Sequence, residues 1–303
     1  MASARGLRAV VVGGTGAIGR CILGELVSSP AYTEVLSLGR RETTIPENYK
    51  VTDSDMQKLK QEIVDFDLEK FTVENWKSCF EGKDVLFLAV GLVFAEARRL
   101  PGNTEENFKR VDLHLVVRCA EIAKAAGVRH VSMMSVRRAK ADSMFVFLRA
   151  KGEADDAVEA LGFERTTIWK VTIVDKGRNS RFLEKVLRIF LRSVLVEDLG
   201  LAMRVEAEQW ALGKAEFPSV SRYEDPDVWE FARQSREAEN KKGIDRDVPA
   251  AAAETNETEE NEEKQAEDEQ MKTQATEQDC DQANEGSEPL GGATEGDKND
   301  KQD

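Results

Sequence analysis

The sequence has few of the residues that bind metals or form disulfide frameworks. Four cysteines are scattered along the chain without a Cys-x-x-Cys pair: Cys21, Cys79, Cys119 and Cys280. There are only two histidines, His114 and His130, and neither has other potential ligands beside it in the sequence. These absences argue against a disulfide framework or a zinc site, and they favour a reducing compartment. Both histidines are expected to be structural or exposed rather than catalytic.

Long apolar runs are also missing. No stretch of about 18 apolar residues occurs, so no membrane-spanning helix is predicted. Met1–Arg8 leads directly into a predicted strand, with too short an apolar stretch for a signal peptide and too few residues for a transit peptide. We therefore expect a cytoplasmic protein, with the nucleus also accessible.

The C-terminal part of the chain lacks aromatic residues and is strongly acidic. Phe231 is the last aromatic residue, and residues 244–303 contain 20 Asp and Glu against 5 Lys and Arg, which leaves the rest nearly neutral. Such a segment buries too little apolar surface to offset its chain entropy, so residues 243–303 are predicted to be a disordered acidic tail. The tail is a candidate contact for a basic protein partner, or a solubilising segment. Its charge argues against direct nucleic-acid binding.

In residues 1–242, apolar runs of strand length alternate with segments of helical periodicity. The predicted strands are Arg8–Val12, Glu34–Leu38, Gln61–Phe66, Asp84–Gly91, His130–Val136 and Arg165–Val174. The predicted helices between them are Ala17–Ser28, Glu105–Ala126 and Ser143–Leu161. This alternation predicts an α/β fold, a Rossmann-type doubly wound parallel sheet.

Residues from about 175 to 242 are predicted to form a small, mostly helical C-terminal lobe. Leu183–Leu195 carries apolar residues on one helical face and basic residues off that face. The favoured interpretation is a helix packed over the sheet or the substrate cleft; a peripheral membrane contact is the alternative. Asp227–Arg236 is predicted as the last helix.

A glycine-rich segment, Gly13 to Gly19, follows the first strand with the spacing G-x-x-G-x-x-G. Gly13 permits a tight turn, Gly16 lets the backbone approach a pyrophosphate, and Gly19 lets the following helix pack close to the strand. The helix N-terminus offers N–H groups and the positive end of its dipole to phosphates. The strand–turn–helix context predicts a dinucleotide site. Its predicted ligands are Gly13, Thr15, Gly16, Ala17, Ile18 and Gly19.

The ends of the next strands complete this predicted site. Arg40 and Arg41 follow the second strand, where an acidic residue would select NAD; guanidinium groups favour a 2′-phosphate, so NADP(H) is the predicted cofactor. Asp65 and Phe66 end the third strand, where Asp65 would reach the adenine. The small residues Ala89–Gly91 (Ala89, Val90 and Gly91) end the fourth and would pass beneath the adenine ribose.

Several stretches carry a family resemblance: GGTGAIGR (13–20), VLSLGRRE (35–42), QEIVDF (61–66), FKRVDLHLVVRCAEIAKAAGVRHVSMMS (108–135) and LRAKGEADDAVEALGF (148–163). They resemble an atypical short-chain dehydrogenase/reductase, and more narrowly the Tat-interacting-protein oxidoreductase-like and Fmp52-like family. The resemblance covers roughly residues 8–235. It implies a nicotinamide cofactor and a catalytic set of Ser, Tyr and Lys.

Two positions of that catalytic set are kept. Ser135 matches the Ser that positions a carbonyl, and Lys151 matches the Lys that binds the nicotinamide ribose and lowers the Tyr pKa. Phe147 stands at the Tyr position, and a phenyl ring has no proton to give. Lys170-Val171-Thr172 replaces the family's Arg-Pro-Gly. The resulting hypothesis is a cofactor-binding regulator with lost or weak catalysis; the alternative is an active NADPH-dependent reductase of a small carbonyl substrate.

Overall fold

A seven-stranded parallel sheet forms the centre of the computed structural model, which describes residues 6–172, 174–175 and 194–241. Its strands, in chain order, are β1 (Leu7–Val12), β2 (Tyr32–Gly39), β3 (Leu59–Ile63), β4 (Val85–Leu88), β5 (His130–Val136), β6 (Arg165–Val171) and β9 (Val220–Tyr223). Their spatial order is β3-β2-β1-β4-β5-β6-β9, and all neighbours pair in parallel. The predicted Rossmann-type fold is confirmed.

Helices connect these strands. They are α1 (Ala17–Ser28), α2 (Asp53–Met56), α3 (Val73–Phe80), α4 (Phe94–Ala97), α5 (Thr104–Phe108), α6 (Val116–Ala125), α7 (Val146–Ala160), α8 (Val196–Ala211) and α9 (Asp225–Lys241). A π-helical turn, Lys109–Leu115, joins α5 to α6. Two short strands, β7 (Val174–Asp175) and β8 (Val194–Leu195), pair with each other.

Both faces of the sheet are covered by helices. Successive side chains of a strand point to opposite faces, so Val10 and Val12 of β1 pack with α3, α6 and α7, whereas Ala9 and Val11 pack with α1 and α8. This two-sided burial explains why β1 reads as a continuous apolar run. The parallel pairing of β1 with β4 places their carboxyl ends side by side. Ligands of such sheets bind at these ends.

Several element boundaries differ from the sequence predictions. The third strand begins two residues and ends three residues earlier than predicted. It lies at an edge of the sheet, where even Ile63 is half exposed, so its sequence has only a weak pattern of buried residues. The fourth strand ends at Leu88 and the sixth at Val171, earlier than predicted. Strand β9 was not predicted, because its alternating polar residues resemble a loop.

The C-terminal region is helical in α8 and α9, and β9 lies between them in sequence and extends the sheet. Val194 and Leu195 begin this region as strand β8, not as the end of the predicted amphipathic helix. Residues 183–193 of that helix and the predicted acidic tail, 243–303, lie outside the described residues.

A buried polar network lies at the start of β5 and β6, away from the carboxyl ends of the strands. His130 is fully buried, and its Nε2 lies 3.0 Å from Thr167 Oγ1, which donates to Glu206 Oε1 at 3.0 Å. Arg165 pairs with the same carboxylate at 2.6 Å. Burial, reinforced by the Arg165 charge, lowers the pKa of His130 well below its ordinary value. His130 is thus a neutral structural residue.

Because His130 is neutral in the fold, the stability of the folded chain is expected to decrease in acid. The unfolded chain protonates its histidines near pH 6.5 while the folded chain keeps His130 neutral, so folding loses stability as pH falls below that value. Between pH 7.5 and 5.5 we expect the free energy of unfolding to fall by about 1.4 kcal/mol from this residue. Urea unfolding at the two pH values measures it.

His130→Gln should remove this pH dependence, and His114→Gln is the matched control, because His114 is exposed. An unchanged pH dependence in His130→Gln would contradict the assignment.

Candidate cofactor site

The glycine turn after β1 shows three different steric requirements. Gly13 has φ +92°, and a Cβ there would lie 2.5 Å from the Ala89 carbonyl oxygen. A Cβ on Gly19 would lie 2.1 Å from the Gly13 carbonyl oxygen. Gly16 meets nothing closer than that oxygen at 3.4 Å. Gly13 and Gly19 therefore let the turn pack closely against the segment that follows β4 and against α1, while Gly16 leaves its surroundings open for a ligand.

The first turn of α1 carries no side-chain cap. Gly16 is the N-cap residue, makes no side-chain hydrogen bond, and no acidic residue occurs in the first turn. The N–H groups of Ala17 and Ile18 and the helix dipole are thus suited to an anion. Thr15, in the glycine turn, lies beside the end of β2: its Cγ2 is 3.9 Å from the Cβ position of Gly39.

The two arginines after β2 are exposed. Neither Arg40 nor Arg41 forms an ion pair or a side-chain hydrogen bond with any residue in the described part of the chain. They directly follow Gly39, next to the glycine turn. Two unpaired guanidinium groups at this place are suited to a phosphate at the adenosine end of a dinucleotide.

Asp65 and Phe66 lie beyond the end of β3. The Val64 N–H donates to the Gly39 carbonyl at 2.8 Å, which holds this segment beside β2. Asp65 is exposed, and Phe66 is half buried with its ring 5.1 Å from that of Phe71. Asp65 is free to meet a ligand, whereas the Phe66 ring is part of the packing.

Ala89, Val90 and Gly91 follow β4 as an irregular segment. The Ala89 N–H donates to the Val12 carbonyl at 2.9 Å. Lys151 of α7 donates to the Val90 carbonyl at 3.0 Å, and a Cβ on exposed Gly91 would lie 3.1 Å from Lys151 Nζ. The Lys151 ammonium therefore lies next to the Ala89–Gly91 backbone, which follows the end of β4.

A buried carboxylate that the sequence reasoning missed fixes Lys151. Asp112 Oδ1 lies 2.9 Å from Lys151 Nζ, and its Oδ2 accepts the Leu92 N–H at 3.0 Å. Asp112 lies within the π-helical turn and is fully buried. One signal was available: Asp112 occupies a position in the apolar stripe of the predicted helix, between Phe108 and Leu115.

Ser135 is bound to a second carboxylate that was not predicted. Its hydroxyl donates to Asp155 Oδ2 at 2.8 Å, and the same oxygen lies 3.2 Å from Lys170 Nζ. Burial raises the pKa of Asp155, opposed by the Ser135 hydrogen bond and the Lys170 charge. Lys170 also donates to the Ala139 carbonyl at 2.9 Å. The end of β6 is thus tied to the loop after β5.

Phe147, on α7 one turn before Lys151, packs in an apolar cluster. Its ring centroid is 5.4 Å from that of Phe108, and Leu92 and Phe94 pack in the same cluster. The three tyrosines are engaged elsewhere. Tyr32 is buried in the core on the α1 face, Tyr49 packs on Gly24, and Tyr223 accepts a hydrogen bond from Arg165. No phenol therefore stands in for the one missing at position 147.

Together, the open glycine turn, the uncapped helix and the free arginines fit the phosphate half of a dinucleotide. A family of NAD(P)H-binding proteins matches residues 13–186. The chain belongs to this NAD(P)H-binding family. The match begins at the first glycine of the turn and includes both Ser135 and Lys151.

Two curated relatives support the same assignment for this NAD(P)H-binding protein. Protein HTATIP2 of Rattus norvegicus is 32% identical over 186 residues, which are 61% of this chain and 70% of that protein. Protein FMP52-1, mitochondrial, of Scheffersomyces stipitis is 28% identical over 242 residues, 75% of this chain and 100% of that protein. The predicted resemblance to this family is confirmed.

A solved structure shares the fold. MoeE5, determined in complex with UDP-glucose and NAD, superimposes with a TM-score of 0.52 over 76% of this chain and 82% of its own, at 16% identity. This degree of similarity supports the Rossmann-type architecture.

The predicted location is wrong. Fmp52 relatives from several fungi are named mitochondrial, which conflicts with a purely cytoplasmic or nuclear protein. The short segment before β1 was a poor guide to location. Among the described helices, none combines the length and apolar character needed to cross a bilayer.

The Lys151–Asp112 pair predicts a coupled effect on stability. Lys151→Met leaves Asp112 as a buried charge without its partner, so we expect a loss of about 3–5 kcal/mol in the free energy of unfolding. The double variant Lys151→Met/Asp112→Asn removes both charges and should recover much of that loss. Urea unfolding of Lys151→Met, Asp112→Asn, the double variant and the unmodified chain measures the coupling. Simple additivity of the single-variant losses would argue against a coupled buried pair.

Proposed function

We propose that the protein is an NADP(H)-binding regulator in which the carbonyl-reducing chemistry of the fold is lost or weak. The observation that carries this proposal is Phe147, whose ring packs against Phe108 where a proton donor is needed. A bound nicotinamide cofactor supplies or accepts a hydride. Without a phenol at position 147, no tyrosine is placed to move the accompanying proton.

The remaining groups support cofactor binding better than turnover. Lys151 donates one N–H to the Val90 carbonyl and is ion-paired with Asp112 Oδ1 at 2.9 Å, so one of its three N–H groups remains for a ribose hydroxyl. Ser135 is almost fully buried, and its hydroxyl is directed to Asp155. A serine held in this way is poorly placed to polarise a substrate carbonyl.

The preference for NADP(H) over NAD(H) rests on Arg40 and Arg41. Both are exposed and unpaired in the described part of the chain, at the strand end where a ribose-binding carboxylate would otherwise stand. A 2′-phosphate gives these cations a partner, whereas a ribose hydroxyl does not.

The cofactor preference gives the first functional test. Arg40→Ala/Arg41→Ala should weaken NADPH binding by about tenfold or more, because each charged phosphate contact contributes about 1.5–3 kcal/mol. NADH affinity should hardly change, so the two affinities converge. Calorimetric titration with both cofactors measures this, and Arg99→Ala is a control exposed arginine after β4. Equal affinity of the unmodified protein for NADPH and NADH would contradict the preference.

The loss of the proton donor gives the second test. Phe147→Tyr restores a hydroxyl on the helix that carries Lys151, and a positioned general acid typically contributes about 10²–10⁴ in rate. We expect carbonyl-dependent NADPH oxidation to rise within this range over a low starting rate. Absorbance at the nicotinamide band, with a panel of aldehydes and ketones, measures it.

Phe145→Tyr is the matched control, since this half-exposed ring lies just before α7. A fast reductase rate in the unmodified chain, insensitive to Ser135→Ala and Lys151→Ala, would establish the alternative of an active NADPH-dependent reductase.

A further inference from the structure

The loop that follows β2, residues 40–42, contains both arginines of the predicted phosphate site, and all three of its residues are exposed. Strand β3 and the residue after it hold the chain on either side of this arginine loop. Before the loop, the Val64 N–H donates to the Gly39 carbonyl at 2.8 Å. After the loop, the side chain of Gln61 binds the backbone of Thr43. The loop is therefore a short span between two anchors on the same edge of the sheet.

Gln61 uses both ends of its amide on a single residue. Its Oε1 accepts the Thr43 N–H at 2.7 Å, and its Nε2 donates to the Thr43 carbonyl at 3.2 Å. Gln61 lies opposite Ser37 in the pairing of β2 with β3, so only a long side chain reaches Thr43 from there. A glutamate has the length but no donor, and an asparagine has the amide but is one methylene shorter. This pair of bonds thus depends on glutamine.

Both ends of the arginine loop also lie against the glycine turn. Thr43 is only 6% exposed, and its Oγ1 lies 3.3 Å from the Cβ position of Gly14. At the other end, the Cβ position of Gly39 lies 3.1 Å from the Arg41 carbonyl oxygen and 3.9 Å from Thr15 Cγ2. The two anchors therefore set where the arginines stand relative to the phosphate half of the site.

We propose that Gln61 is a positioning residue for cofactor selectivity, which acts through Thr43 to hold the arginine loop where its guanidinium groups meet a 2′-phosphate. The inference rests on the proposed preference for NADP(H). A loop that is ordered before the ligand arrives loses less conformational freedom on binding, so its phosphate contacts contribute more to affinity. NADH has no 2′-phosphate, and its affinity does not depend on this anchor.

Calorimetric titration of the full chain with NADPH and with NADH tests the role of Gln61. Gln61→Met keeps the unbranched side chain and removes both hydrogen bonds. The Kd for NADPH should rise by about three- to tenfold, because the arginine loop is then ordered only on binding, whereas the Kd for NADH should not change. Gln57→Met is the matched control, since this exposed glutamine directly follows α2.

A double-mutant cycle with Arg40→Ala/Arg41→Ala separates positioning from a merely structural role. If Gln61 acts through the arginines, Gln61→Met has no further effect on NADPH affinity once both arginines are absent. Damage to the fold would instead weaken NADPH and NADH alike, with or without the arginines.

The possible outcomes separate this inference from the proposed function. A ratio of NADPH to NADH affinity that Gln61→Met leaves unchanged, or an equal loss without the arginines, overturns the inference alone. If Gln61→Met does not fold, Gln61→Asn, which keeps an amide at this half-buried position, gives the same test with the same expected loss of selectivity. Equal affinities of the unmodified protein for the two cofactors overturn the proposed preference and this inference with it.

Discussion

The buried ion pair between Lys151 and Asp112 is the interaction on which the geometry of the candidate site depends. It joins α7 to the π-helical turn, and through Val90 and Leu92 it also holds the segment that follows β4. Separating two buried charges costs more than most single contacts in a protein, because each then lacks its partner in a low-dielectric interior. Three elements are therefore held in one arrangement before any ligand binds.

The π-helical turn contributes Asp112 to this ion pair. An extra residue in a helical turn changes which side chains face a neighbouring element, and such turns are frequent at functional sites. Here it accompanies the placement of Asp112 against Lys151, while Phe108, one turn earlier, contacts Phe147. The same stretch of chain thus supports a charged residue of the site and the apolar packing that replaces the phenol.

Local patterns predicted one half of the site and long-range pairing determined the other. The glycine turn and Arg40 with Arg41 are recognisable because strand, turn and helix follow one another directly in the sequence. Asp112 and Asp155 were missed because each pairs with a residue of a different element. Asp112, in the π-helical turn, pairs with Lys151 of α7, and Asp155 of α7 pairs with Lys170 of β6. The edge strand β9 was missed for a related reason: only its pairing with β6 distinguishes it from a loop.

This division has a functional consequence. The phosphate half depends on backbone geometry at Gly13, Gly16 and Gly19 and on the close approach of the Ala89 backbone to Gly13. The other half of the candidate site depends on side chains from four elements, so under the proposed function the single residue Phe147 affects its chemistry without touching the glycine turn. Under the proposed function, the phosphate half supplies the binding energy of the cofactor, while the proton donor of the other half is absent.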